Sequence, residues 1–211
     1  MSRGCLESMT RFSRSVKGVV NPLVTVVLIS IILVLGWGLL GMTVNYLSAI
    51  WFEQQLYIFI NRISADTYFY IQALFSNEST YTVYVGLLRA SNTPTIYYLC
   101  ILNQTDNRPI ENESLDVDIF YNGGYRDARN TTLESNNIYI LSQIARYVPL
   151  SAEVDVVNVT LYMANFTGPE PLSIRVSIDA EQQPKLVLLV LVPYNQKYYE
   201  VKRLYVEWGR T

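Results

Sequence analysis

The sequence predicts an α+β protein: one long N-terminal α-helix followed by an antiparallel, immunoglobulin-like β-sandwich head. Three observations predict it. An uncharged apolar run extends from Val19 to Met42. Behind it, Val44, Leu47 and Trp51, then Leu56, Ile60 and Ile63, recur at helical steps, with no Gly or Pro between Thr43 and Tyr70. From about Tyr81 the period shortens to two, in short segments rich in β-branched and aromatic residues.

The apolar run has 24 residues, of which only Asn21, Thr25 and Ser30 are clearly polar. As a helix it reaches about 36 Å, against about 30 Å for the hydrocarbon core of a bilayer. A secretory signal has an apolar stretch of only about 7–15 residues and a small-residue cleavage site behind it. Gly41-Met42-Thr43 offers no such site, so the segment reads as a membrane-spanning helix. Arg3, Arg11, Arg14 and Lys17 precede it, and no basic residue follows until Arg62. That asymmetry places the N-terminus in the cytoplasm and the bulk of the chain outside. Asn21-Pro22 suits a helix start, an N-cap followed by proline at the first helical position. Gly36, Gly38 and Gly41 are small residues of the kind found where helices approach closely, although they form no G-x-x-x-G pair. The periodicity carries the helix to about Ser64, with Glu53-Gln54-Gln55 marking the change from all-round apolarity to an amphipathic face. The expected organisation is a basic leader over 1–18, a helix over 19–66 with its span at about 19–42, and an external head over 67–211.

Eight strands are expected in the head, at 81–90, 96–102, 115–121, 137–145, 154–163, 172–178, 185–192 and 197–208. Regular spacing without helical pattern between them is the signature of a sandwich. "KLVLLVLV" (185–192) lacks alternation, so it belongs in the interior or beneath a cover on its outer face. The polar runs over 103–114 and 122–137 read as loops, and "YNGGY" (121–125) as a hairpin turn.

Composition excludes several functions. Residues 1–18 carry a net charge of +3 and the remainder −5, within a total of −2. That acidic balance argues against a nucleic-acid partner. With no histidine in the chain, Ser-His and Cys-His nucleophile pairs and His-ligated zinc are impossible. Cys5 and Cys100 fall on opposite sides of the expected span, so they form no disulfide within one chain; Cys100 reads as a small core residue. Asp116 and Asp118 share one strand face, a pair able to bind calcium or act as acid and base but more often simply a solvated face beside a loop. Glu111 and Glu113 lie in a neighbouring polar run. No phosphate loop, dinucleotide fingerprint or metal-spaced cluster is present. No enzyme activity, cofactor or metal is expected.

Six N-x-S/T sequons occur, at Asn77, Asn103, Asn112, Asn130, Asn158 and Asn165. With 15 Asn and 30 Ser or Thr among 211 residues, chance supplies roughly two. All six follow the apolar helix, on the side assigned outward by charge.

A basic leader ending in Lys17-Gly18, followed by "VVNPLVTVVLISIILVLG", resembles the class III signal and N-terminal helix of archaeal type IV pilins and archaellins. The resemblance covers residues 14–40 and extends in architecture to a β-sandwich head, with Asn21-Pro22 standing where Ser-Pro is commoner. It implies leader cleavage between Gly18 and Val19 and a cell-surface filament of identical subunits that serves adhesion. It also implies partners: the membrane before assembly, a prepilin peptidase, an assembly ATPase and a membrane platform protein. The competing expectation is a single-pass anchored binding or stator-like domain that keeps its leader. An ectoenzyme built on carboxylates is a third.

Overall fold

The computed structural model describes residues 22–77, 79–110, 114–121, 124–155, 157–166, 170–179 and 185–208. The expected leader 1–18, with Lys17 and Gly18, lies outside these residues, as do Val19, Asn21 and Asn112. The chain divides into two compact units, Met1–Gln54 and Gln55–Thr211.

Among the described residues there is one α-helix, α1 (Pro22–Asp66, 45 residues). Within the first unit every described residue from Pro22 to Ala49 is exposed. Two of its polar side chains turn back on the helix: Ser30 Oγ donates to Val26 O and Thr43 Oγ1 to Leu39 O, each at 2.8 Å. Such back-bonding gives these two hydroxyls a partner other than water. Past Gln55 the helix changes character. Leu56, Ile60 and Ile63, at three- and four-residue steps, are buried in the second unit, because that spacing lines one helical face.

The second unit is a two-sheet sandwich. Its strands are β1 (Thr67–Ser76), β2 (Thr80–Arg89), β3 (Thr95–Asn103), β4 (Leu115–Tyr121), β5 (Gly124–Asp127) and β6 (Arg129–Glu134). They continue with β7 (Ile138–Leu141), β8 (Tyr147–Pro149), β9 (Asn158–Phe166), β10 (Leu172–Asp179), β11 (Leu186–Tyr194) and β12 (Lys197–Val206). One sheet runs β1-β2-β10-β4-β5 and the other β6-β9-β3-β11-β12-β7-β8. The ladders are antiparallel except for β7 against β12, a short parallel pairing that departs from the wholly antiparallel expectation.

Four strands escape the sequence reading, each for a physical reason. No Gly or Pro separates Asp66 from Thr67, so nothing in the sequence announces that helix gives way to β1. β5 and β6 occupy the polar run taken as loop; β6 (RNTTLE) is an edge strand with little to bury, so it shows no apolar alternation. β8 is three residues long. The segment expected as strand over 137–145 is strand only to Leu141 and then turns. The expected start at 154 moves to Asn158.

Two apolar layers hold the head. Between the sheets, Val83, Val85 and Leu87 of β2 and Ile174, Val176 and Ile178 of β10 meet Leu186, Leu188, Val190 and Val192 of β11. The helical Leu56, Ile60 and Ile63 belong to the same core. On the other face of the larger sheet a second core joins Val187, Leu189 and Leu191 to Cys100, Val159 and Leu161, covered by Ile138, Ile140, Leu150 and Val154. β11 is therefore buried on both faces, which explains its missing alternation. Leu188 and Leu189 are both fully buried. Leu188→Ala and Leu189→Ala should each cost about 2–5 kcal/mol in denaturant unfolding of the head; a near-neutral Leu189→Ala would mean that the outer layer does not cover the sheet.

Candidate functional site

The largest uncovered feature is the helix itself. Eighteen large apolar side chains from Leu23 to Leu47 are exposed, Trp37 among the most open. At ~1.5–3 kcal/mol for each side chain left in water, the penalty is on the order of tens of kcal/mol. It is the one helix of the described residues long and apolar enough to cross a membrane. Gly36, Gly38 and Gly41 each have nothing within 4 Å of where a Cβ would stand, so their open flanks admit a close neighbour.

The end of the helix is locked into the head by groups whose role the sequence does not announce. Arg89 Nε donates to Asp66 Oδ2 at 2.8 Å, and the Arg89 side chain is only 7% exposed. The guanidinium also meets Thr93 O and Thr95 Oγ1, and Ser91 Oγ donates to the same Asp66 oxygen. Ala90 N donates to Asp66 O at 2.9 Å. Thr67 Oγ1 reaches back to Ile63 O at 2.7 Å and meets the Tyr97 hydroxyl at 2.7 Å, while Ser64 Oγ donates to Val201 O at 3.0 Å. A carboxylate at a helix C-terminus opposes the helix dipole; Arg89 offsets it. Elsewhere a buried carboxylate, Glu200, accepts from Leu141 N at 2.9 Å and from Arg203 Nε and Nη2 at 2.9 and 2.7 Å. Tyr147 Oη donates to Glu200 O at 3.1 Å. These bonds fasten the short β7 and β8 beside β12.

Asp116 and Asp118 do share a face, as their spacing requires, and it faces Arg175 of β10. Arg175 Nη2 lies 2.9 Å from Asp116 Oδ2 and also pairs with Asp118, which is 2% exposed. One guanidinium between two carboxylates is an ion-pair arrangement across the β4–β10 ladder, where Asp118 stands opposite Arg175. Among the described residues no group of three or more His, Cys, Asp or Glu is placed to hold a metal ion. The described residues of the head also line surface hollows. One, of about 470 Å³, is lined by Asp106, Arg108, Glu153 and Asp155; another, of about 400 Å³, by Phe59, Arg62, Arg89, Thr95 and Pro193.

Of the sequon asparagines, Asn77, Asn130, Asn158 and Asn165 are exposed. Asn103 is half-buried, its Oδ1 accepting from Thr105 N at 2.9 Å. Asn130 lies on edge strand β6, and Asn158 and Asn165 on its neighbour β9.

No family model and no curated protein matches the chain. Among solved structures, the human F-spondin reeler domain is similar at 13% identity, with 68% of this chain and 89% of that one covered and a TM-score of 0.30. The N-terminal domain of PorA aligns at 10% identity over 62% and 83% of the two chains, with a TM-score of 0.24. A β-glucosidase from Kluyveromyces marxianus aligns at 7% identity over 66% of this chain and 14% of its own, with a TM-score of 0.26. Likenesses this distant assign no function.

Burial pushes the Cys100 thiol up to about 12, with the Glu200 carboxylate adding to it. Cys100 should therefore ignore a maleimide in the native protein at neutral pH and react on denaturation. Burial, reinforced by Glu200, also raises the Tyr147 hydroxyl from 10.0 to about 12, and burial raises Tyr162 equally. A phenol whose folded value exceeds its unfolded one leaves stability intact below pH ~10 and erodes it as pH climbs toward ~12. Tyrosinate absorbance should accordingly show a late-titrating class that joins the ordinary class once the head is unfolded.

Proposed function

We propose that this protein is the structural subunit of an archaeal type IV pilus-like surface filament serving surface attachment, assembling through its N-terminal apolar helix. The observation that carries the reading is the helix from Pro22 to Ala49, exposed all round and uncharged. Lipid covers it before assembly, with the N-terminus cytoplasmic and the head outside. Identical helices cover it afterwards. The basic leader supplies the reason for cutting at Lys17-Gly18. Bundling helices that each carry +3 would bring like charges together in a medium that solvates them poorly. Cleavage before Val19 removes that charge. A prepilin peptidase, an assembly ATPase and a membrane platform protein are the partners the pathway needs. The acidic head faces water and carries N-linked glycans at exposed sequons. No cofactor enters the scheme.

N-terminal sequencing and intact mass of the sheared-surface and membrane fractions test the reading. The sheared fraction should hold chains beginning at Val19, and each of Asn77→Gln, Asn130→Gln, Asn158→Gln and Asn165→Gln should remove one glycan step in mass. Chains that begin before Gly18 and stay wholly with membranes would instead make the protein an anchored external domain.

A further inference from the structure

A growing filament repeats one rotation and one rise, so each of its contacts joins two different patches of the same chain; a self-complementary patch closes into a dimer and stops growth. Two of the apolar patches that the described residues of the head expose are unlike each other. The first is the solvent side of β1. Tyr68, Tyr70 and Phe75 stand opposite Leu88, Gly86 and Thr82 of β2, out of phase with the core residues Val83, Val85 and Leu87. They are 56%, 42% and 59% exposed. Neighbours hold the rings in place. A Cβ on Gly86 would come within 2.5 Å of Tyr70 Cζ, so the ring tip occupies that space, and Phe75 meets the Tyr84 ring edge-on at 5.7 Å.

β1 is also a long sheet edge, whose one irregularity is a register shift between Ile71 and Ala73. It is ten residues long, with no charge and no proline. The other edges are blunted in ways familiar from natural sheets. β5 has four residues; β8 has three and contains Pro149; β6 carries Arg129, Glu134 and the Asn130 sequon.

The second patch is the turn after β7. Ile144, at its tip, is 79% exposed, and Leu141 beside it is 45% exposed. The turn is ordered: Ser142 N donates to Arg146 O at 2.8 Å and Ala145 N to Ser142 O at 3.1 Å. Ile144 N donates to Ser142 Oγ at 3.3 Å. Ala145 sits at φ 55°, a left-handed conformation that costs a residue with a Cβ about 1–2 kcal/mol. An apolar tip held out in this way is pre-organised for a partner. Charge agrees. The turn carries Arg146, while two carboxylates against one guanidinium leave the Asp116–Asp118–Arg175 group, on the same sheet as β1, negative.

We propose that the Ile144 turn of one copy seats on the Tyr68–Tyr70–Phe75 face of β1 in a second copy, forming a head-to-head contact along the filament. The proposal rests on the filament reading. Its test uses the full chain with Cys5→Ser, Cys100 being buried, and a short bis-maleimide on the sheared-surface and membrane fractions. Chains carrying both Tyr70→Cys and Ile144→Cys should give a ladder of dimers, trimers and higher products, while each single variant stays at background. Ile144→Asp, on an exposed tip, should lower sheared-filament yield about tenfold or more with the membrane level of the chain unchanged. Tyr70→Cys alone stopping at dimers would overturn the proposal. So would the absence of a ladder where Gly38→Cys in the helix does cross-link, an outcome that keeps the filament reading and removes only this contact. Failure of both the Tyr70→Cys/Ile144→Cys pair and Gly38→Cys would remove the two together.

Discussion

The constraint on which the rest of this protein depends is the hydration cost of α1. From Pro22 to Ala49 nothing in the chain's own described residues covers the helix, and tens of kcal/mol of unfavourable apolar exposure exceed the few to fifteen kcal/mol by which a typical domain is stable. Such a helix is compatible with two surroundings, lipid or other apolar helices. Serine and threonine side chains that bond back to the backbone suit either, since neither surrounding supplies water. On the proposed reading the protein uses both in turn, and the loss of the leader charge is what permits the exchange.

The head serves that helix by holding its far end. Leu56, Ile60 and Ile63 enter the inter-sheet core, and the last helical residue, Asp66, is gripped by Arg89, Ser91 and the backbone of Ala90. Removing one partner of this half-buried pair would weaken the hold of the head on the last helical turn. With no loop between Asp66 and Thr67, the same lock orients β1. The two-sided burial of β11 gives the larger sheet a rigid centre, and the Glu200–Arg203 pair secures the small strands that close its far side.

Much of this was legible in the sequence. The apolar run and the helical steps of Leu56, Ile60 and Ile63 place α1, and the absence of alternation in "KLVLLVLV" foretells a strand covered on both faces. β1 was not legible, because what ends the helix is tertiary: Arg89, 23 residues downstream, and Tyr97, 30 residues downstream of Thr67. β6 was hidden because an edge strand in a polar run buries too little to impose a period. The paired carboxylates Asp116 and Asp118 could be placed on one face from their spacing, whereas Arg175, 59 residues from Asp116, which pairs with both, could not. Long-range pairing leaves no local trace.

The most direct test of the central claim asks what touches the helix. In a chain with Trp51→Phe and Trp208→Phe, Trp37 reports alone, and brominated acyl chains quench an indole only at contact distance. The account predicts strong lipid quenching of Trp37 in the membrane fraction and none in sheared material, where neighbouring helices have replaced lipid. Trp37 quenched by lipid to the same degree in every fraction containing the protein would contradict it.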